Sequence, residues 1–60
     1  MPPGNFEVYE DRSGRWRWRL KEREGRVCAT GEAYPSKEGA KRSCQAVQRA
    51  CDGATIEEVT

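Results

Sequence analysis

From Arg15 to Lys21 the chain alternates strictly between polar and apolar residues, Arg-Trp-Arg-Trp-Arg-Leu-Lys. A period of two over such a run is that of a strand with one buried face. Phe6-Glu7-Val8-Tyr9-Glu10 shows the same alternation upstream, and Asp11-Arg12-Ser13-Gly14 between the two runs reads as a turn. Glu24-Gly25 marks a second turn, Arg26 to Thr30 a third and shorter strand, and Gly31 to Pro35 a connector. Residues 1–5 read as a flexible start.

Pattern and turn chemistry together predict registers. If Phe6 and Val8 share a buried face with Trp16, Trp18 and Leu20, a three-residue loop Arg12-Ser13-Gly14 sets Val8 opposite Trp18 and Phe6 opposite Leu20. Such loops need a left-handed residue where Gly14 stands. In the second hairpin a two-residue loop, Glu24-Gly25, closed by Arg23 and Arg26, brings Leu20 opposite Ala29. On that reading Val27 joins the buried face, while Cys28 and Thr30 face outward with Glu7, Tyr9, Arg15, Arg17, Arg19 and Lys21.

Downstream the period changes. Ala40, Cys44, Val47 and Cys51 recur at four, three and four residues, with Lys41, Arg42, Gln45, Gln48 and Arg49 on the opposite side. This is an amphipathic helix over 37–51 with a narrow stripe of small residues, capped by Ser36 and carrying Glu38 in its first turn. Asp52-Gly53 ends it. Ala54 to Val59 reads as a last strand whose alternation breaks at Glu57-Glu58, so a bulge or frayed end is expected there. The fold class is α+β, a β-β-β-α-β unit: an antiparallel three-stranded meander packed on one helix, followed by one more strand, all in a single domain over 6–60.

Composition sharpens this picture. Only 11 of the 60 residues are large and apolar: four Val, two Trp, two Tyr, one Ile, one Leu and one Phe. A chain of this size buries only about 60% of its unfolded surface, so it folds with little margin unless a disulfide, a metal or a second subunit contributes. No run of about 18 apolar residues spans a membrane. Net charge is +1, too balanced for a generic polyanion binder. The distribution is uneven, however: seven cations and two anions lie between Arg12 and Arg26, and three anions and no cation lie from Asp52 to Thr60. Met1-Pro2-Pro3-Gly4 leads into no apolar stretch, so a cytoplasmic chain with reduced thiols is expected.

Three cysteines cannot close a disulfide framework. Cys44 and Cys51 lie about 10.5 Å apart along a helix axis, too far to bridge. There is no His and no Cys-x-x-Cys, so neither a structural zinc site nor a redox motif is present. Cys28, Cys44 and Cys51 read as small hydrophobes, and no metal or cofactor is expected.

The runs Phe6-Glu-Val-Tyr, Asp11, Gly14, Trp16-Arg-Trp-Arg-Leu20, Gly25, Ala29, Gly31-Glu32, Tyr34, Ser36-Lys37, Gly39-Ala40 and Ala54-x-Ile56 resemble the YegP-like family over about 6–59. These are small bacterial and archaeal proteins built on a domain of unknown function. The resemblance implies a β-β-β-α-β unit present as a tandem repeat or as two single-repeat chains that exchange C-terminal strands to complete one sheet. With one copy per chain it implies a homodimer, with Ala54, Ile56 and Val59 in the exchanged strand. It supplies no catalytic residue and gives the cysteines no role. The exchange makes physical sense: the short Cys51-Asp52-Gly53 connection leaves the last strand little freedom to turn back, and Ile56 and Val59 are scarce large aliphatics.

The sharpest candidate site is the stripe Arg15, Arg17, Arg19 and Lys21 with Tyr9 beside it. In a strand these cations recur every ~6.8 Å on one face, near the phosphate spacing of a nucleic-acid strand. Tyr9 opposes Arg17 and is placed to stack with it or with a base. The preferred reading is a solvated face, with Glu7 opposing Arg19 as a cross-strand pair, because the net charge is near neutral. Trp16 and Trp18 read as core rather than as a ligand platform. Glu57 and Glu58, adjacent on a strand, point to opposite faces and cannot share a substrate. Ser36 has no His to activate it, and its cap role is sufficient. The expected function is therefore a non-enzymatic binding or interaction module, a strand-exchanged homodimer, with nucleic-acid binding through the arginine face as the alternative.

Overall fold

The computed structural model describes residues 4–59. The chain runs β1 (Asn5–Glu10), β2 (Trp16–Lys21), β3 (Val27–Thr30) and α1 (Lys37–Cys51). The strands form one antiparallel sheet with β2 in the middle. The helix lies across β1 and β2.

The first hairpin has the register the alternation demands: Phe6 faces Leu20, Val8 faces Trp18 and Tyr9 faces Arg17. Its loop is held by hydrogen bonds from Asp11 N to Arg15 O (2.8 Å) and from Gly14 N to Asp11 O (3.1 Å). Gly14 takes φ +82, a value L side chains rarely adopt. Asn5, expected in the flexible start, instead opens β1 opposite Lys21. Met1 to Pro3 and Thr60 lie outside the described residues.

The second hairpin differs from the expected two-residue loop. Glu22 N bonds to Arg26 O (2.9 Å) and Gly25 N to Glu22 O (2.8 Å), so the loop is Arg23-Glu24-Gly25, a copy of the first one. Lys21 therefore pairs with Val27, and a bulge between there and the Leu20–Ala29 pair restores the expected register. The extra residue on β3 is Cys28, and a bulge of this kind re-aims its neighbours. Val27, expected in the buried face, is 43% exposed. After β3 the connector stays bound to β2: Gly31 N bonds to Trp18 O (3.0 Å), and Trp16 and Tyr34 exchange two backbone hydrogen bonds of 2.7 Å.

The helix occupies the predicted span. Ser36 is extended and its Oγ accepts from Gly39 N at 3.1 Å, which satisfies one of the open amides of the first turn. Ala40 is wholly buried and Cys44 nearly so; Trp18 is the most buried large side chain. The small stripe lets the helix backbone approach the sheet, and Trp18 fills the gap. Its ring meets Phe6 edge-on, 5.4 Å between centroids. Its Nε1 donates to Ser43 Oγ at 3.0 Å, and the Tyr34 hydroxyl donates to the same oxygen at 2.7 Å. A buried indole thus keeps a partner for its one polar atom.

Residues 54–59, expected as a strand, join no strand among the described residues; Ala54 N bonds only back to Cys51 O (3.1 Å). Past Asp52 and Gly53 (φ +73) the segment leaves the body. Ile56 is 100% exposed and Val59 86%. A strand exists only where its amides and carbonyls find an edge, and this segment lies along none of the described strands.

Candidate interaction surfaces

Two surfaces merit a functional reading. The first is the polar face of β1 and β2. The alternation that turns Trp16, Trp18 and Leu20 inward, with only Trp18 fully buried, sends Arg17, Arg19 and Lys21 to the other side, with Arg15 just before β2. Glu7 is the hub of this face: its Oε1 accepts from Arg19 Nε at 2.7 Å and lies 3.5 Å from Lys21 Nζ. The Arg19 guanidinium sits 4.6 Å over the Tyr9 ring. Tyr9 opposes Arg17, as the register requires, but its ring is covered by Arg19, its diagonal neighbour. Asp11 Oδ1 is taken up by the turn, accepting from Ser13 N (2.9 Å), Ser13 Oγ (2.7 Å) and Arg15 N (3.0 Å). Its other oxygen lies 3.8 Å from the Arg17 guanidinium. Arg15 reaches the Ala33 carbonyl at 3.5 Å.

These contacts hold two carboxyls below their ordinary range. Glu7 is lowered from 4.5, chiefly by the Arg19 hydrogen bond, and Asp11 from 3.8, chiefly by the Ser13 hydroxyl. A carboxyl with a lower folded than unfolded pKa stabilises the fold above the unfolded value, and this contribution disappears as pH falls through the folded one. Unfolding by urea at fixed protein concentration is therefore expected to show stability falling as pH drops below about 4.5. In Glu7→Gln that fall is shallower. Equal pH slopes in the two proteins would show that the Glu7 pairs have no energetic weight.

The second surface is an apolar groove of about 570 Å³ between the start of β1 and the second half of α1, lined chiefly by Phe6, Leu20, Cys44, Gln45, Gln48 and Cys51. It runs beside the outer edge of β1, which pairs with no strand among the described residues. Sequence reasoning missed it, because alternation says which residues face inward but not how far along the sheet the helix covers them. The signal was the small stripe: apart from Val47 the inner helix face carries only small residues, which leave the space over Phe6 and Leu20 open. Cys44 lies buried, as the reading of a small hydrophobe requires, whereas Cys28 and Cys51 are exposed. Among the described residues, no three His, Cys, Asp or Glu side chains cluster to hold a metal, and no helix is long and apolar enough to cross a membrane.

An antiparallel meander of three strands with one helix on one face, an arginine-lined opposite face and an open groove at one edge defines a small α+β domain. The model of a domain of unknown function, DUF1508, matches residues 11–58, and the chain belongs to that family, in keeping with the YegP-like pattern of its residues. It is 43% identical over 56 residues to a UPF0339 protein of Treponema denticola, 93% of this chain and 97% of that one. The UPF0339 protein from the 5′ region of the ptx operon in Stutzerimonas stutzeri is 36% identical over 46 residues, which are 77% of this chain but 41% of that protein. In three dimensions the chain is similar to a protein from Haloferax volcanii solved by solution NMR, with TM-score 0.79, 37% identity, and 98% and 100% of the two chains covered.

Proposed function

We propose that this protein is a non-catalytic interaction module that works as a homodimer, each copy laying residues 54–59 along the outer edge of its partner's β1. The observation that carries the reading is Ile56, fully exposed in a chain that has an apolar groove with nothing in it. An isolated exposed aliphatic is ordinary; two of them on one short segment, in a chain with so few, are not. An unpaired edge strand is a template for another strand. The lent segment satisfies the β1 edge and lowers Ile56 toward Phe6, Leu20 and Cys44.

Two further observations support it. The Stutzerimonas stutzeri relative is more than twice as long as the stretch matched here, which leaves room for a second unit in the same chain. For the non-catalytic part, the sequence contains no His. The carboxyls of the polar face are also committed to ion pairs and turn hydrogen bonds rather than converging as an acid–base pair. Light scattering at micromolar concentration is expected to give twice the 6.8 kDa of one chain. A stable monomer would contradict the proposal, including one whose own tail folds back into the groove.

A further inference from the structure

The polar face of the sheet carries Arg15, Arg17, Arg19 and Lys21 against two carboxyls, Glu7 and Asp11. The chain's +1 net charge conceals this excess, because the balancing anions lie elsewhere, three of them after Cys51. Asp11 is largely spent on its turn, so its 3.8 Å contact with Arg17 is a loose one. Glu7 is covered by Arg19 and Lys21, so it presents little bare negative charge. Arg19 is the fixed member, held by Glu7 on one side and stacked on Tyr9 on the other. Arg15 is exposed, and the Arg17 side chain remains 41% exposed.

We infer that this face binds the phosphate backbone of single-stranded nucleic acid, with Arg15, Arg17 and Lys21 as the phosphate contacts and Arg19 as the positioning residue. The cations recur every ~6.8 Å along a nearly straight line, which suits an extended chain of phosphates. Arg19 already occupies one face of the Tyr9 ring, so charge rather than base stacking dominates this face, and the contact reads charge and not sequence. This inference rests on the sheet face within one chain and holds whether or not the tail is exchanged.

The test is fluorescence anisotropy with labelled dT20 and dA20, together with amide chemical shifts of the wild-type protein. Three phosphate contacts predict a slope of about −2 in log affinity against log salt for each chain engaged. The two oligonucleotides are expected to bind within threefold of each other, with shifts concentrated at Arg15, Arg17 and Lys21. Arg15→Gln with Arg17→Gln, checked for folding by circular dichroism, is expected to lose at least tenfold in affinity, while Lys41→Gln on the exposed side of the helix stays within twofold. Four results would each overturn the inference: no binding at low salt, equal loss in the Lys41 variant, shifts confined to another surface, or a tenfold preference for either base or for a duplex.

Discussion

Ile56→Asp is expected to turn the proposed dimer into a monomer. Burying an isoleucine side chain contributes about 1.5–3 kcal/mol, and a two-fold dimer buries it twice, so loss of both is worth roughly 3–6 kcal/mol. That raises the dissociation constant by about 10²–10⁴-fold, before the added cost of placing a carboxylate in an apolar groove. Ile56→Val, which removes one methylene at each site, is expected to cost only about 0.5–1.5 kcal/mol per site and to keep the dimer. Sedimentation over a range of concentrations separates the two variants. An aspartate variant that associates as tightly as the parent would show that Ile56 lies outside the interface.

Gly31→Ala is expected to be a strongly damaging single-methyl change. A Cβ at Gly31 would fall inside the Trp18 indole, although the backbone there is one that any residue can adopt. The penalty is therefore collision alone. Overpacking of this kind costs about 1–3 kcal/mol. For a chain of this length total stability is on the order of 3–9 kcal/mol, so the loss is a large share of it. The urea midpoint at fixed protein concentration measures it. Trp18→Phe trims the ring that the new methyl would strike, so the double variant is expected to be more stable than the sum of the two single losses predicts. Strict additivity would mean that the connector, and not the indole, gives way.

Much of this architecture is legible in the sequence. The seven-residue alternation around Trp16 and Trp18 and the glycine at position 14 fixed the first hairpin to the residue. Ser36 and Asp52-Gly53 marked the ends of the helix because caps are local chemistry. The second hairpin escaped because Gly25 serves equally as the left-handed residue of a two- or a three-residue loop. The spacing from Glu22 to Gly25 repeats that from Asp11 to Gly14, and this was the overlooked clue. Once the loop gains a residue, a bulge must absorb it to keep Ala29 opposite Leu20, and Val27 is turned out to solvent as a consequence. On the polar face the Glu7–Arg19 pair followed from register alone, whereas the stacking of Arg19 on Tyr9 depends on sheet twist, which no linear pattern encodes. The groove depends on where the helix axis crosses the sheet, and only the smallness of its inner residues hinted at it.

The count of large apolar residues, low for a packed domain, takes on a specific meaning in this light. Phe6, Trp18 and Leu20 line the inner face of one sheet, yet the groove over Phe6 and Leu20 is open while Ile56 stands in solvent. The proposed strand exchange would close both deficits with one contact. The most direct test is an isotope-filtered NOE experiment on ¹³C-labelled and unlabelled chains unfolded and refolded together. The account predicts cross-peaks between the Ile56 methyls of one chain and the Phe6 ring of the other. Contacts of Ile56 with Phe6 confined to a single chain, or no such contacts at all, would contradict it.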